Sequence, residues 1–163
     1  MKKRILSMLC AIVMTCSLCG VSAIKVEASK DDQVVDGSVL TLQEEASGRY
    51  TSYTRGYYMM EGDCSISKAG RGRIYVYGST TANRTVARIG VTMFVEQYRE
   101  TDDAWHQIDY WDTTTTNDYY LSTSKSITVE RGYYYRVHAI HQCAPLDDPG
   151  DVGDSATDGI YIS

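Results

Sequence analysis

From residue 57 onward the chain is built of short runs of β-branched and aromatic residues separated by turn residues. The runs cover residues 59–66, 73–77, 86–98, 105–111, 119–129, 133–143 and 156–162. Between them lie Ala69-Gly70-Arg71-Gly72, GSTTAN, Thr101-Asp102-Asp103, TTTTN and Arg131-Gly132. None of the runs carries the 3.6-residue apolar period that a helix facing a core requires. Short strands with regular punctuation predict an all-β domain, an antiparallel β-sandwich of about seven strands. The 14 tyrosines and the many Thr and Val residues suit a pleated, half-buried surface.

The stretch RGYYYRVHAIHQC, residues 131–143, tests that reading. It could be taken for a metal site, because His138 and His141 are spaced H-x-x-H beside Cys143. On a strand, alternate side chains point to opposite faces. Tyr133, Tyr135, Val137, Ala139, His141 and Cys143 then share the core face, and Tyr134, Arg136, His138 and Ile140 share the other. The two histidines point apart and cannot hold one ion. The stretch reads as a strand.

The N-terminus has the form of an export signal. Lys2, Lys3 and Arg4 precede an apolar run over residues 5–18, and small-x-small patterns allow cleavage near Ala23 or Ala28. Residues 1–28 are therefore expected to be a secretory signal peptide. The polar residues 29–56 are expected to be a flexible spacer, and residues 57–163 the β-sandwich domain. No later stretch is apolar for long enough to cross a membrane as a helix.

Loss of residues 1–28 removes four of the 16 basic side chains and one of the 21 acidic ones, moving the net charge from −5 to −8. So acidic a chain is a poor partner for nucleic acid. The same cut leaves only Cys64 and Cys143, which in an oxidising compartment predict one disulfide. That bond would be worth about 4–5 kcal/mol on a chain-entropy model.

Residues 126–140, SITVERGYYYRVHAI, resemble the E-strand, turn and F-strand of fibronectin type III and immunoglobulin-like domains. The resemblance implies a tyrosine corner, in which the hydroxyl of Tyr133 or Tyr135 bonds back to the turn. More of the chain resembles an uncharacterised family of small secreted proteins of Gram-positive anaerobes, a domain of unknown function. The matching stretches are GDCSISKAGRGRIYVYGSTTANRTVARIGV, WHQIDYW, NDYYLSTSKSITVERGYYYRVHAIH and TDGIYI. This resemblance implies export and a shared fold, and no catalytic residue.

The candidate ligand surface comes from the hairpin over residues 86–111. A two-residue turn at Thr101-Asp102 or Asp102-Asp103 pairs even positions with odd ones. Ile89, Val91, Met93 and Val95 then join His106, Ile108 and Tyr110 in the core. Phe94, Tyr98, Trp105 and Trp111 face outward, with Glu96, Gln107 and Asp109 between them. Rings beside carboxylates and an amide suit a glycan or a protein ligand. The competing expectation is that the spacer covers this face or a bulge turns one tryptophan inward.

Asp147, Asp148, Asp151 and Asp154 form an acidic loop that could hold calcium, although its spacing departs from an EF-hand. No cofactor is otherwise expected. Catalysis is not expected either: Ser155 has no assigned His or Asp partner, and Glu96 with Asp109 lacks the burial a general acid needs. The leading expectation is a non-catalytic extracellular binding module. A small exported toxin- or bacteriocin-like effector is the alternative, and a secreted hydrolase the third.

Overall fold

The computed structural model describes residues 30–50 and 57–163. The expected signal peptide and residues 29 and 51–56 of the expected spacer lie outside the described residues. The chain is all-β. Its strands are β1 (Val34–Val35), β2 (Ser38–Thr41), β3 (Glu45–Tyr50), β4 (Met59–Lys68), β5 (Arg73–Arg99), β6 (Ala104–Thr128), β7 (Tyr133–Ala144), β8 (Asp151–Ala156) and β9 (Gly159–Ile162).

The expected seven strands are nine, and they form one continuous sheet rather than two separately bonded ones. Its order is β1-β2-β9-β7-β5-β4-β3, with β6 on β5 and β8 on β7. All pairs are antiparallel except β2 with β9. The expected separate runs at residues 73–77 and 86–98 are one strand. At about 3.3 Å per residue, 27 residues of β5 would reach about 90 Å if straight. Instead the register shifts between Thr81 and Val86, and the sheet curls there. The first half of β5 pairs with β4 and the second half with β7.

Curling brings the halves of β5 face to face. Ile74 and Val76 from the first half meet Val91, Met93 and Val95 from the second, together with Ile66, Val137 and Ala139. Gly78 lies so close to Met93 that a Cβ there would fall 2.3 Å from the sulfur, so any side chain would force the Met93 thioether to move. The expected core face of β7 holds from Tyr135 onward, since Tyr135, Val137, Ala139, His141 and Cys143 are all fully buried, but Tyr133 is exposed, and Tyr134 and Arg136 of the opposite face are buried as well. The tyrosine corner is also present. Tyr135 donates its hydroxyl to the Glu130 carbonyl at 2.7 Å and accepts from the Gln97 amide at 2.9 Å.

Two expectations are corrected here. Residues 34–50 are not a flexible spacer, because they form β1, β2 and β3 within the sheet. The expected disulfide is absent, and Cys64 and Cys143 are separate buried thiols. Cys64 Sγ contacts the carbonyl of Val137 at 3.9 Å. Cys143 lies six residues farther along the same strand, about 20 Å at strand rise, whereas a disulfide needs Cα atoms about 5.5–6 Å apart. Cys143 packs with Met59, Ala82, Val86 and Ile89 instead. Burial raises the Cys64 thiol to about 11 and the Cys143 thiol to about 12, so both stay protonated near neutrality.

Thiol labelling followed by peptide mapping is expected to modify Cys64 and Cys143 only after denaturation, and without reductant. A requirement for reductant would restore the disulfide. Tyr135→Phe should cost about 1–3 kcal/mol in denaturant titrations, since it strands the Glu130 carbonyl and the Gln97 amide.

Candidate functional site

The expected aromatic face is divided into three places. Near the hairpin tip the pairing is even with odd, as expected: Tyr98 faces Trp105 and Glu96 faces Gln107. A register shift at Val95 and Glu96 leaves Ile108 without a partner, and beyond it Val95 faces Asp109 and Met93 faces Trp111. One extra residue reverses which side chains share a face. Trp111 therefore turns toward the core side, donating its indole N–H to Thr123 Oγ1 at 3.1 Å. The Lys125 ammonium lies 5.1 Å from the Trp111 ring and bonds Asp109 at 2.6 Å.

Tyr98 and Trp105 lie beneath the N-terminal strands. Tyr98 is only 1% exposed and clusters with Val35, Leu40 and Tyr134. Trp105 donates its indole N–H to the Val35 carbonyl at 3.0 Å. Glu96 is held by Arg136 at 2.6 Å, and Gln107 is exposed. Only Phe94 keeps the outward aromatic role, stacked between Tyr110 and His138. Tyr110 and Ile108, expected in the core, are exposed, and His106 is half-buried beside Asp102.

The acidic loop does not converge. Asp151 accepts the backbone N–H groups of Tyr58 and Met59, while Asp148 accepts that of Gly150. Asp154 stands opposite Ile140, and Asp147 is exposed. No three His, Cys, Asp or Glu side chains are grouped to hold a metal ion among the described residues.

A different face gathers binding chemistry. β3, β4, the first half of β5 and the second half of β6 lie side by side, and cross-strand partners share a face. One row runs Ser47, Ser65, Tyr77, Ser124, and the next runs Glu45, Ser67, Tyr75, Ser126. A third runs Arg49, Asp63, Ser79, Ser122. The buried residues of these strands, Ile66, Ile74 and Val76, occupy the alternate positions, so the rows face away from the core. The short serines leave the tyrosines standing above them. Tyr75 is 40% exposed and Tyr120 41%, and the Tyr77 and Tyr120 hydroxyls bond each other at 2.8 Å. That bond lowers the Tyr120 hydroxyl, while burial raises Tyr77. An open groove of about 600 Å³ beside them is lined by Glu45, Ser47, Ser67, Tyr75, Tyr77 and Asp158. The sequence signal was the alternation of Ser and Tyr at positions 65, 67, 75, 77, 122, 124 and 126. It could not show that these strands are neighbours.

Ser155 does have a histidine. His141 Nε2 is 2.9 Å from Ser155 Oγ, and Nδ1 is 2.9 Å from Thr80 Oγ1. Thr80 gives its proton to the Gly90 carbonyl at 3.0 Å, so it accepts from Nδ1–H. Nε2 is then free to accept the Ser155 proton. This is a nucleophile–base arrangement with a hydroxyl where a triad has a carboxylate. His141 is fully buried and Ser155 only 3% exposed, so the three residues act as a polar link between β5, β7 and β8. Burial lowers His141 to about 4, against the opposing pull of Asp63 and Asp154.

A family model described as a family of unknown function, DUF6147, matches residues 30–157. The chain belongs to that family. Its matched span begins before β1 and ends just after β8, so the N-terminal strands are part of the family domain. No curated protein and no solved structure matches the chain.

Because His141 binds its proton less readily when folded, the unfolded chain takes up the extra proton between about pH 6.5 and 4. Stability is present above that window and is lost as pH falls through it, by roughly 3 kcal/mol. Denaturant midpoints measured from pH 7 to 4 should fall accordingly, and His141→Gln should flatten that slope while lowering stability at pH 7.

Proposed function

We propose that this protein is a non-catalytic extracellular module that binds a neutral glycan on the outward face of β3, β4, β5 and β6. The observation that carries this reading is the row of Tyr75, Tyr77 and Tyr120 standing over serine hydroxyls beside an open groove. Tyrosine rings offer flat apolar faces to sugar C–H groups, and hydroxyls and carboxylates accept or donate to sugar hydroxyls. Tyr and Ser are also the pair that antibody combining sites favour, since both lose little conformational entropy on contact.

Charge selects among glycans. Glu45, Glu61, Asp63 and Asp158 border the face against two arginines, Arg49 and Arg73. A polyanionic glycan would be repelled, and a neutral one would not. Export supports the extracellular role: residues 1–28 have the form of a signal peptide, and the family resemblance read from the sequence is to secreted proteins.

A glycan array followed by calorimetry tests the reading. Binding to neutral oligosaccharides is expected, with Tyr75→Ala weakening it at least tenfold, about the scale of a truncated aromatic hot spot. Trp105→Ala should change affinity little. Absence of binding to every neutral glycan, or loss with Trp105→Ala and not Tyr75→Ala, would sink the proposal.

A further inference from the structure

A second recognition surface lies where β1 and β2 cover Tyr98 and Trp105. The two strands form a small hairpin turned at Asp36 and Gly37, which have φ of 49° and 78°. Positive φ at both central residues is the tight-turn geometry whose twist matches a strand pair. The hairpin fills a groove with four kinds of contact. Val35 and Leu40 bury their side chains with Tyr98 and Tyr134. Trp105 donates to the Val35 carbonyl. Arg136 donates to the Asp36 carbonyl at 3.0 Å, its carboxylate at 2.8 Å and the Ser38 hydroxyl at 3.0 Å. Finally β2 adds in parallel to β9, pairing Leu40 with Gly159 and Thr41 with Ile160.

This is strand addition to a sheet edge, with a buried cation selecting the acidic turn. Only residues 42–44 connect the hairpin to β3. Leu42 is 53% exposed, and the fixed sheet resumes where the Lys68 N–H bonds the Glu44 carbonyl. None of the groove contacts depends on which chain supplies the hairpin. The partners on the far side are also distant in sequence: Ser38 bonds Thr157 and Val39 bonds Asp158, both 119 residues away. During synthesis the hairpin therefore exists long before its groove does, and closing so long a loop carries a large entropic cost. An empty groove would be unfavourable, because Arg136 would lose the Asp36 and Ser38 acceptors and Tyr98 and Tyr134 would lose the cover of Val35 and Leu40.

We propose that the groove is a strand-accepting site for residues 30–41 of a second copy of this chain, so that two copies join by exchanging their N-terminal hairpins. The exchanged pair keeps every contact of the single chain and differs in the path of residues 42–44 and in concentration. A short connector favours exchange, and a longer one lets the hairpin return to its own groove.

The full chain, refolded over a range of protein concentrations, is sized by chromatography with light scattering. The expected result is a dimer whose fraction rises with concentration during refolding and survives later dilution. Inserting a Gly-Ser-Gly-Ser segment after Gln43 should lower the dimer fraction about tenfold while leaving circular dichroism unchanged. Leu40→Asp, which disables the hairpin as a donor, should abolish the dimer. Were that variant not to fold, the insertion result alone would still decide. Monomer at every concentration would overturn the proposal. So would a dimer indifferent to the insertion, which would mean association through another surface.

Discussion

Everything in this molecule hangs on β5 being bonded on both edges while bending in the middle. Its first half carries β4 and its second half β7, and β6 follows it along almost the whole length. The bend between Thr81 and Val86 lets one sheet supply both sides of its own core. The close approach of Gly78 to Met93 shows how tightly the halves meet. The same bend sets the His141–Thr80 contact, because it lays β7 over the first half of β5. A straight, regularly alternating β5 would point Ile74 and Val91 to opposite faces of a flat sheet, with nothing to bury either.

One inserted residue has a comparable reach. The extra residue at Ile108 reverses the parity of β6 relative to β5, and with it the fate of the large side chains as far as the second register shift near Asp118. Trp111 goes to the core side, and Tyr110 goes to solvent beside Phe94. A bulge of this kind lowers no propensity and leaves no mark in composition. Its cost is one unpaired ladder position, and its effect is a different surface. The polar N-terminal segment was equally hard to read. Its buried side chains are few, chiefly Val35, Ser38 and Leu40, and they belong in the fold because Arg136 and the tyrosines provide a matching groove.

The tyrosine face and the hairpin groove differ in their chemistry. The face with Tyr75, Tyr77 and Tyr120 is flat, hydroxylated and open. The groove around Tyr98, Trp105 and Arg136 is apolar, charged at one point and already filled by the chain's own hairpin. A surface of the first kind suits a soluble ligand reached by diffusion, and one of the second kind suits a strand.

The sequence by itself determined the strand class and the alternation along the strand over residues 133–143, and it narrowed the corner tyrosine to Tyr133 or Tyr135. Those properties rest on local rules: two-residue alternation, turn residues and β-branched composition act within about ten residues. The strand over residues 133–143 is the clearest case, since His138 and His141 had to point apart whatever surrounded them. Only the tertiary structure decided which faces became surfaces. Cys64 and Cys143 remain apart because each packs into a different cluster. Ser155 meets His141 because β7 and β8 are neighbours, and Ser47 meets Ser65 and Tyr77 because β3, β4 and β5 are. Register, the bend of β5 and the return of the N-terminal hairpin join residues up to 119 positions apart. No local pattern encodes such pairings, because they are settled by which distant surfaces fill each other's space and satisfy each other's buried polar groups.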